Sequence, residues 1–206
     1  MTANEWQNAS EPHTMLDFLQ KSGRVSDRKL RLFAVACSRR IWPWIDTLGR
    51  AAVEVAESFA DGLAGPEELR AARLACQGAG GQAAWYAAAT NPAIAARNAA
   101  RSAQAGVANN GLIGTEAAEL VAQAKLLRDI FGDPFYHVSV DGMRLTPSVI
   151  KLAQTIYDDR TFDLMPRLAD ALGEAGCANA EIHAHLRELG PHVRGCWALD
   201  LILGKE

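Results

Sequence analysis
Apolar residues recur along this chain at spacings of three and four, between residues that cap or stop helices. Ser26 is a cap, and Leu30, Phe33, Ala34, Cys37 and Ile41 then share one face, which predicts a helix over 27–41. Leu32, Val35 and Ala36 make its other sides apolar, so this helix is expected to be central. Pro43, between Trp42 and Trp44, ends or kinks it. Val53, Ala56 and Ala60 mark the inward face of a helix over 50–61 that stops at Asp61-Gly62, and Pro66 opens the next. Alanine dominates from Ala71 to Ala108, where Gly78, Gly80, Gly81 and Asn91-Pro92 divide helices expected at 67–77, 82–90 and 92–108.

Thr115 caps a helix to Phe131 with Leu120, Ala124, Leu127 and Phe131 in one stripe and Gly132 as its stop. Residues 133–145 are the least helical. The only candidate strands lie between Phe135 and Arg144, with an ordered loop the preferred reading. Thr146-Pro147 starts a helix whose buried face is read as Ile150, Ala153 and Tyr157. Leu164, Leu168, Leu172 and Ala175 define another, stopped by Gly176. Asn179 caps a short helix to about Leu189, and Pro191 is expected to open a last helix running to Leu203. The pattern predicts an all-α fold, an irregular multi-helix bundle with an Ala-rich helical insertion and a C-terminal helical hairpin. One domain over 1–206 is expected, with a sub-boundary near 111 between an Ala-rich half (1–111) and a Leu/Ile-rich half (112–206).

Composition narrows the class. The chain has 206 residues, 49% hydrophobic and 22% charged, as in folded globular proteins. A net charge of −3 argues against general attraction to nucleic acid or anionic membranes. The start, Met1-Thr2-Ala3-Asn4-Glu5, lacks a signal-peptide pattern, and no apolar run is long enough to span a membrane. A cytoplasmic location and reduced thiols are therefore expected for Cys37, Cys76, Cys177 and Cys196, with Cys37 and Cys76 as buried core residues. The basic run Arg24, Arg28, Lys29, Arg31, Arg39 and Arg40, beside Trp42 and Trp44, suggests nucleic acid. The acidic segments elsewhere make internal ion pairs the better reading. Gly78-Ala79-Gly80-Gly81 has no following Lys-Ser/Thr and is no phosphate loop.

The chemistry is concentrated near the end. Cys177, His183, His185, His192 and Cys196 fall within twenty positions. Cys177, His185, His192 and Cys196 offer two thiolates and two imidazoles, a set suited to tetrahedral zinc, with Gly190-Pro191 turning His185 toward His192. On a helix from Pro191, His192 and Cys196 would share a face. The competing reading is packing, with His192, Cys196, Leu199 and Leu203 as one core stripe. A third makes Cys196 or Cys177 a nucleophile with His192 or His185 as base, the Cys196 thiol being activated one turn into the helix. Asp129 and Asp133 are read as caps and turns.

Three blocks carry a resemblance: Ser26 to Cys37; Leu126 to Phe135; and Thr146-Pro147 through Ile156 to Arg160 and Leu168 to Leu172, as far as Cys177. His192 to Trp197 and Leu203 to Lys205 close it. The chain resembles a family of hypothetical helical proteins abundant in planctomycete genomes. The resemblance implies a bacterial, cytoplasmic protein and brings no activity with it. In that family, residues matching Cys177, His185, His192 and Cys196 recur, the one matching His183 does not, and many members carry Cys where this chain has Leu186. The leading expectation is a non-enzymatic helical module that binds another protein, followed by a domain with structural zinc at Cys177, His185, His192 and Cys196, and then by a Cys–His enzyme.

Overall fold
The computed structural model describes the chain except Arg24, Ala79, Gly80, 111–114, His137, 139–144, Glu206 and the side chain of Asn110. All regular structure among the described residues is helical, as the spacing predicts. The candidate strands near Phe135–Arg144 fall mostly outside the described residues. The contacts gather the chain into two compact units, Met1–Arg128 and Asp129–Glu206. No helix among the described residues is long and apolar enough to cross a membrane.

The first unit holds α1 (Ala3–Asn8), α2 (Pro12–Ser22), α3 (Asp27–Arg40), α4 (Thr47–Ala60), α5 (Pro66–Ala75), α6 (Gln82–Ala87), α7 (Pro92–Asn110) and most of α8 (Glu116–Phe131). Its centre is α3, buried from Leu30 through Ser38 and packed on α4, α6 and α7. Alanine explains the closeness: Ala95, Ala96, Ala99, Ala100 and Ala103 of α7 are all 0% exposed. Side chains of one carbon bury little area each, so this region depends on close approach of many small groups. Arg31 is buried too, and its guanidinium donates to the carbonyls of Ala87, at the end of α6, and of Ala89 and Thr90 just beyond it. Those carbonyls have no partner within α6, and the arginine satisfies them.

Three arginines of the basic run form internal ion pairs. Arg28 pairs with Asp61 at 3.0 Å, Arg39 with Glu57 at 2.9 Å, and Arg40 with Glu119 at 2.7 Å. Within α8 the expected stripe is turned. Ala124 and Leu127 are buried, but Glu119 and Gln123 take inward positions, while Leu120 and Phe131 are half-buried. The polar pair is tolerated because it is hydrogen-bonded: Gln123 donates to Glu119 at 2.9 Å and to the Ala100 carbonyl at 3.0 Å, and accepts from Gln104 at 3.0 Å.

The second unit begins with the last residues of α8 and adds α9 (Pro147–Asp159), α10 (Met165–Glu174), α11 (Ala180–Arg187) and α12 (Trp197–Leu203). Caps at Thr146 and Asn179 start α9 and α11 where expected. Leu168, Leu172, Ile156, Ile182, Leu186, Leu199 and Cys177 share one core. Two expectations fail here. Ala153 and Tyr157 are buried on α9 as expected, but Ile150 is 42% exposed, and Val149 and Ile156 complete the inward face. The final helix is shorter than expected: it starts at Trp197, with Cys196 as its cap, and Pro191 to Gly195 form an irregular connection. It buries Ala198, Leu199, Asp200 and Ile202 and leaves Leu203 half-buried.

Candidate metal centre
Gly190 sits at φ +87°, a conformation that favours glycine, and a Cβ there would lie 2.9 Å from the backbone nitrogen of His192. This turn folds the connection back so that His192 returns beside His185 on α11. The two rings stand edge to face with centroids 4.9 Å apart. Gly132, at φ +66°, ends α8 against the Trp197 indole, which a Cβ would approach to 3.2 Å. Trp197 lies 5.0 Å from the His185 ring, forming one wall of the site.

Between these walls sits Asp129, 3% exposed. Its Oδ1 lies 2.8 Å from His192 Nδ1 and 3.2 Å from His185 Nε2. His185 Nε2 is also 3.2 Å from Cys196 Sγ. One donor atom from each of Asp129, His185, His192 and Cys196 lies within 4.8 Å of every other. Ligands on a tetrahedral zinc, at bond lengths of 2.0–2.3 Å, stand roughly 3.3–3.7 Å apart, so shifts of about 1 Å or less would close this set on an ion.

Outer contacts already orient the donors. Asp129 Oδ2 accepts the Val193 backbone N–H at 3.0 Å, which leaves Oδ1 facing inward. His192 Nε2 lies 3.2 Å from the Glu188 carbonyl, so a proton there leaves the Nδ1 lone pair aimed at the centre. His185 Nδ1 faces Glu188 Oε2 at 3.9 Å. Burial opposes charge on Asp129, but hydrogen bonds and charge from His185 and His192 win, and its pKa is lowered. For His192 burial again opposes charge, and the hydrogen bond and charge of Asp129 win, so its pKa is raised. The Cys196 thiol is pushed well above its usual range by burial and by the Asp129 charge, despite the backbone N–H groups of Leu199 and Ala198.

Three of the four residues chosen from sequence, His185, His192 and Cys196, therefore come together, although not on one helix face. The fourth does not belong to this group. Cys177 is buried in the apolar core, and its carbonyl lies 2.8 Å from His183 Nε2. His183 also meets Arg187 at 3.2 Å, and Leu186 is fully buried core. Asp129, read from sequence as a cap or turn residue, takes the fourth place. Asp133 does act in a turn, accepting the Phe135 N–H at 2.9 Å.

The arrangement is poorly suited to thiol catalysis. The Cys196 side chain is sealed from solvent and its thiol is held protonated. His185 presents the same nitrogen to Cys196 and Asp129, whereas a base oriented by a carboxylate uses opposite ring nitrogens. Comparisons with protein-family models, curated proteins and solved structures find no match to this chain.

Proposed function
We propose that the C-terminal unit is a metal-binding domain in which Asp129, His185, His192 and Cys196 hold one zinc ion in a structural role. The observation that carries this reading is the convergence of four potential ligand atoms within 4.8 Å. Two imidazoles, one thiolate and one carboxylate are nitrogen, sulfur and oxygen donors of the kinds zinc accepts. A structural role is preferred because four protein donors close a tetrahedral shell and the site is shielded, with the His185 side chain 12% exposed and that of His192 5%. The ion would tie the end of α8 to α11, to the irregular 191–195 connection and to the start of α12. A segment with so little regular structure gains most from such a tie.

Protein binding, the leading expectation from sequence, ranks second because exposed apolar groups such as Leu63 and Leu74 are ordinary on protein surfaces. The test is elemental analysis of protein purified without a histidine tag, followed by zinc titration of the chelated protein. About one zinc per chain is expected, lost in Cys196→Ala and Asp129→Ala. A parent protein that neither carries zinc nor takes it up would overturn the proposal.

A further inference from the structure
We infer that Glu188 is the positioning residue of this centre and sets its affinity for zinc, an inference that rests on the metal-binding reading above. Glu188 caps the C-terminal end of α11 and is tied to both histidines. Its backbone N–H donates to the His185 carbonyl at 3.1 Å. Its own carbonyl lies 3.2 Å from His192 Nε2, and its carboxylate lies 3.9 Å from His185 Nδ1. One residue thus faces the outward nitrogen of each imidazole.

That placement matters because a ring nitrogen can bind metal only through its lone pair. When His185 Nε2 holds the ion, its proton resides on Nδ1, toward Glu188. When His192 Nδ1 holds the ion, its proton resides on Nε2, toward the Glu188 carbonyl. Metal binding draws charge from the rings and strengthens both outer contacts, so zinc and Glu188 support each other. The location is otherwise unfavourable. A carboxylate at the C-terminal end of a helix meets the negative end of the helix dipole, and a proton on His185 Nδ1, 3.9 Å away, would offset that. The carboxylate is 66% exposed, so it can swing toward Nδ1 without disturbing the core, and its influence is screened by salt.

The experiment compares the parent chain with Glu188→Gln, Glu188→Asp and the exposed neighbour Leu189→Ala. Zinc affinity is read by competition with a chromogenic chelator, the donor set by cobalt absorption, and folding by urea denaturation in excess chelator. Glu188→Gln should weaken zinc about tenfold, the lower end of the range for such outer partners. Glu188→Asp should recover part of the loss, and Leu189→Ala should bind as the parent does. The cobalt spectrum should keep its band positions, and the chelated proteins should unfold alike. If the parent binds and Glu188→Gln binds equally well, the role of Glu188 is overturned and the metal site stands. A changed cobalt donor set in Glu188→Gln would make Glu188 a ligand and also overturn it. A parent that binds neither zinc nor cobalt overturns the metal reading itself.

Discussion
Two buried carboxylates lie ten residues apart on α8, Glu119 in the first unit and Asp129 in the second. Both are almost fully hidden, at 2% and 3% exposure. Their partners differ in kind. Glu119 is answered by the Arg40 guanidinium and the Gln123 amide. The guanidinium has no lone pair for a metal and stays protonated at any ordinary pH, while the amide turns its N–H to the carboxylate and its oxygen to Gln104. Asp129 is answered by two imidazoles beside a thiol, each of which becomes a ligand when it gives up a proton. Burial alone therefore does not distinguish a structural ion pair from a metal centre. The chemistry of the answering groups does.

The largest expected effect breaks the first carboxylate's pairing. Arg40→Ala leaves Glu119 buried without its cation and should cost about 3–5 kcal/mol. Urea denaturation should give the same loss with and without chelator, since no metal ligand is touched. A loss that vanished in chelator would mean that the two carboxylates do not differ as argued. The second effect belongs to Asp129. Zinc at about 100 times its dissociation constant should stabilise the parent by about 2.7 kcal/mol and leave Asp129→Ala unmoved. Thermal melts with and without zinc read this directly, and an equal shift in both proteins would remove Asp129 from the site.

The sequence was most legible where local chemistry decides. Ser26, Thr146 and Asn179 cap helices because their side chains accept backbone N–H groups three residues or fewer away. The final helix begins later than its sequence predicts because Pro191 suits a helix start, while the Gly190 turn and the Asp129–Val193 hydrogen bond hold the chain elsewhere. Those restraints come from residues distant in sequence. Cys177 looked like a ligand because it is near His183 and His185 in sequence, yet it faces the core. Asp129 did leave a signal. A carboxylate in the last turn of a helix opposes the helix dipole, so something must compensate it, and here two histidines about sixty residues onward do.

The face of α9 shows the same limit at smaller scale. Val149 and Ile150 are both apolar, so spacing alone could not choose between them, and the core selects Val149 with Ile156. Ile156→Val should cost about 1 kcal/mol, within the usual range for a buried methyl group. Ile150→Val, on the exposed side, should fall within about 0.5 kcal/mol of the parent. Both substitutions leave the zinc ligands untouched, so the difference should persist in chelator. Equal losses would show that Ile150 is as well packed as Ile156.

The smallest effect extends the comparison from carboxylates to histidines. His13 in α2 is lowered in pKa by burial and by the nearby Arg101 and Arg97, against the smaller opposing influence of Glu11 and Asp17. Its Nδ1 is buried with no hydrogen-bond partner among the described residues. A histidine whose folded pKa lies below its unfolded value supports folding while both states are neutral. That support fades as pH falls below about 6.5, because the unfolded chain takes up the proton first. His192, raised chiefly by Asp129, has the opposite sign in metal-free protein: its contribution is present at low pH and is lost as pH rises through its folded pKa. Acidification from pH 7 to pH 5 should therefore weaken the contribution of His13 while strengthening that of His192. His13→Gln, which cannot take up a proton, should reduce the acid-induced loss measured by urea denaturation in chelator. If the parent and His13→Gln lose stability in parallel over that interval, burial and the two arginines do not set the acid response of this histidine, and the contrast between a cation-flanked imidazole and a carboxylate-flanked one fails.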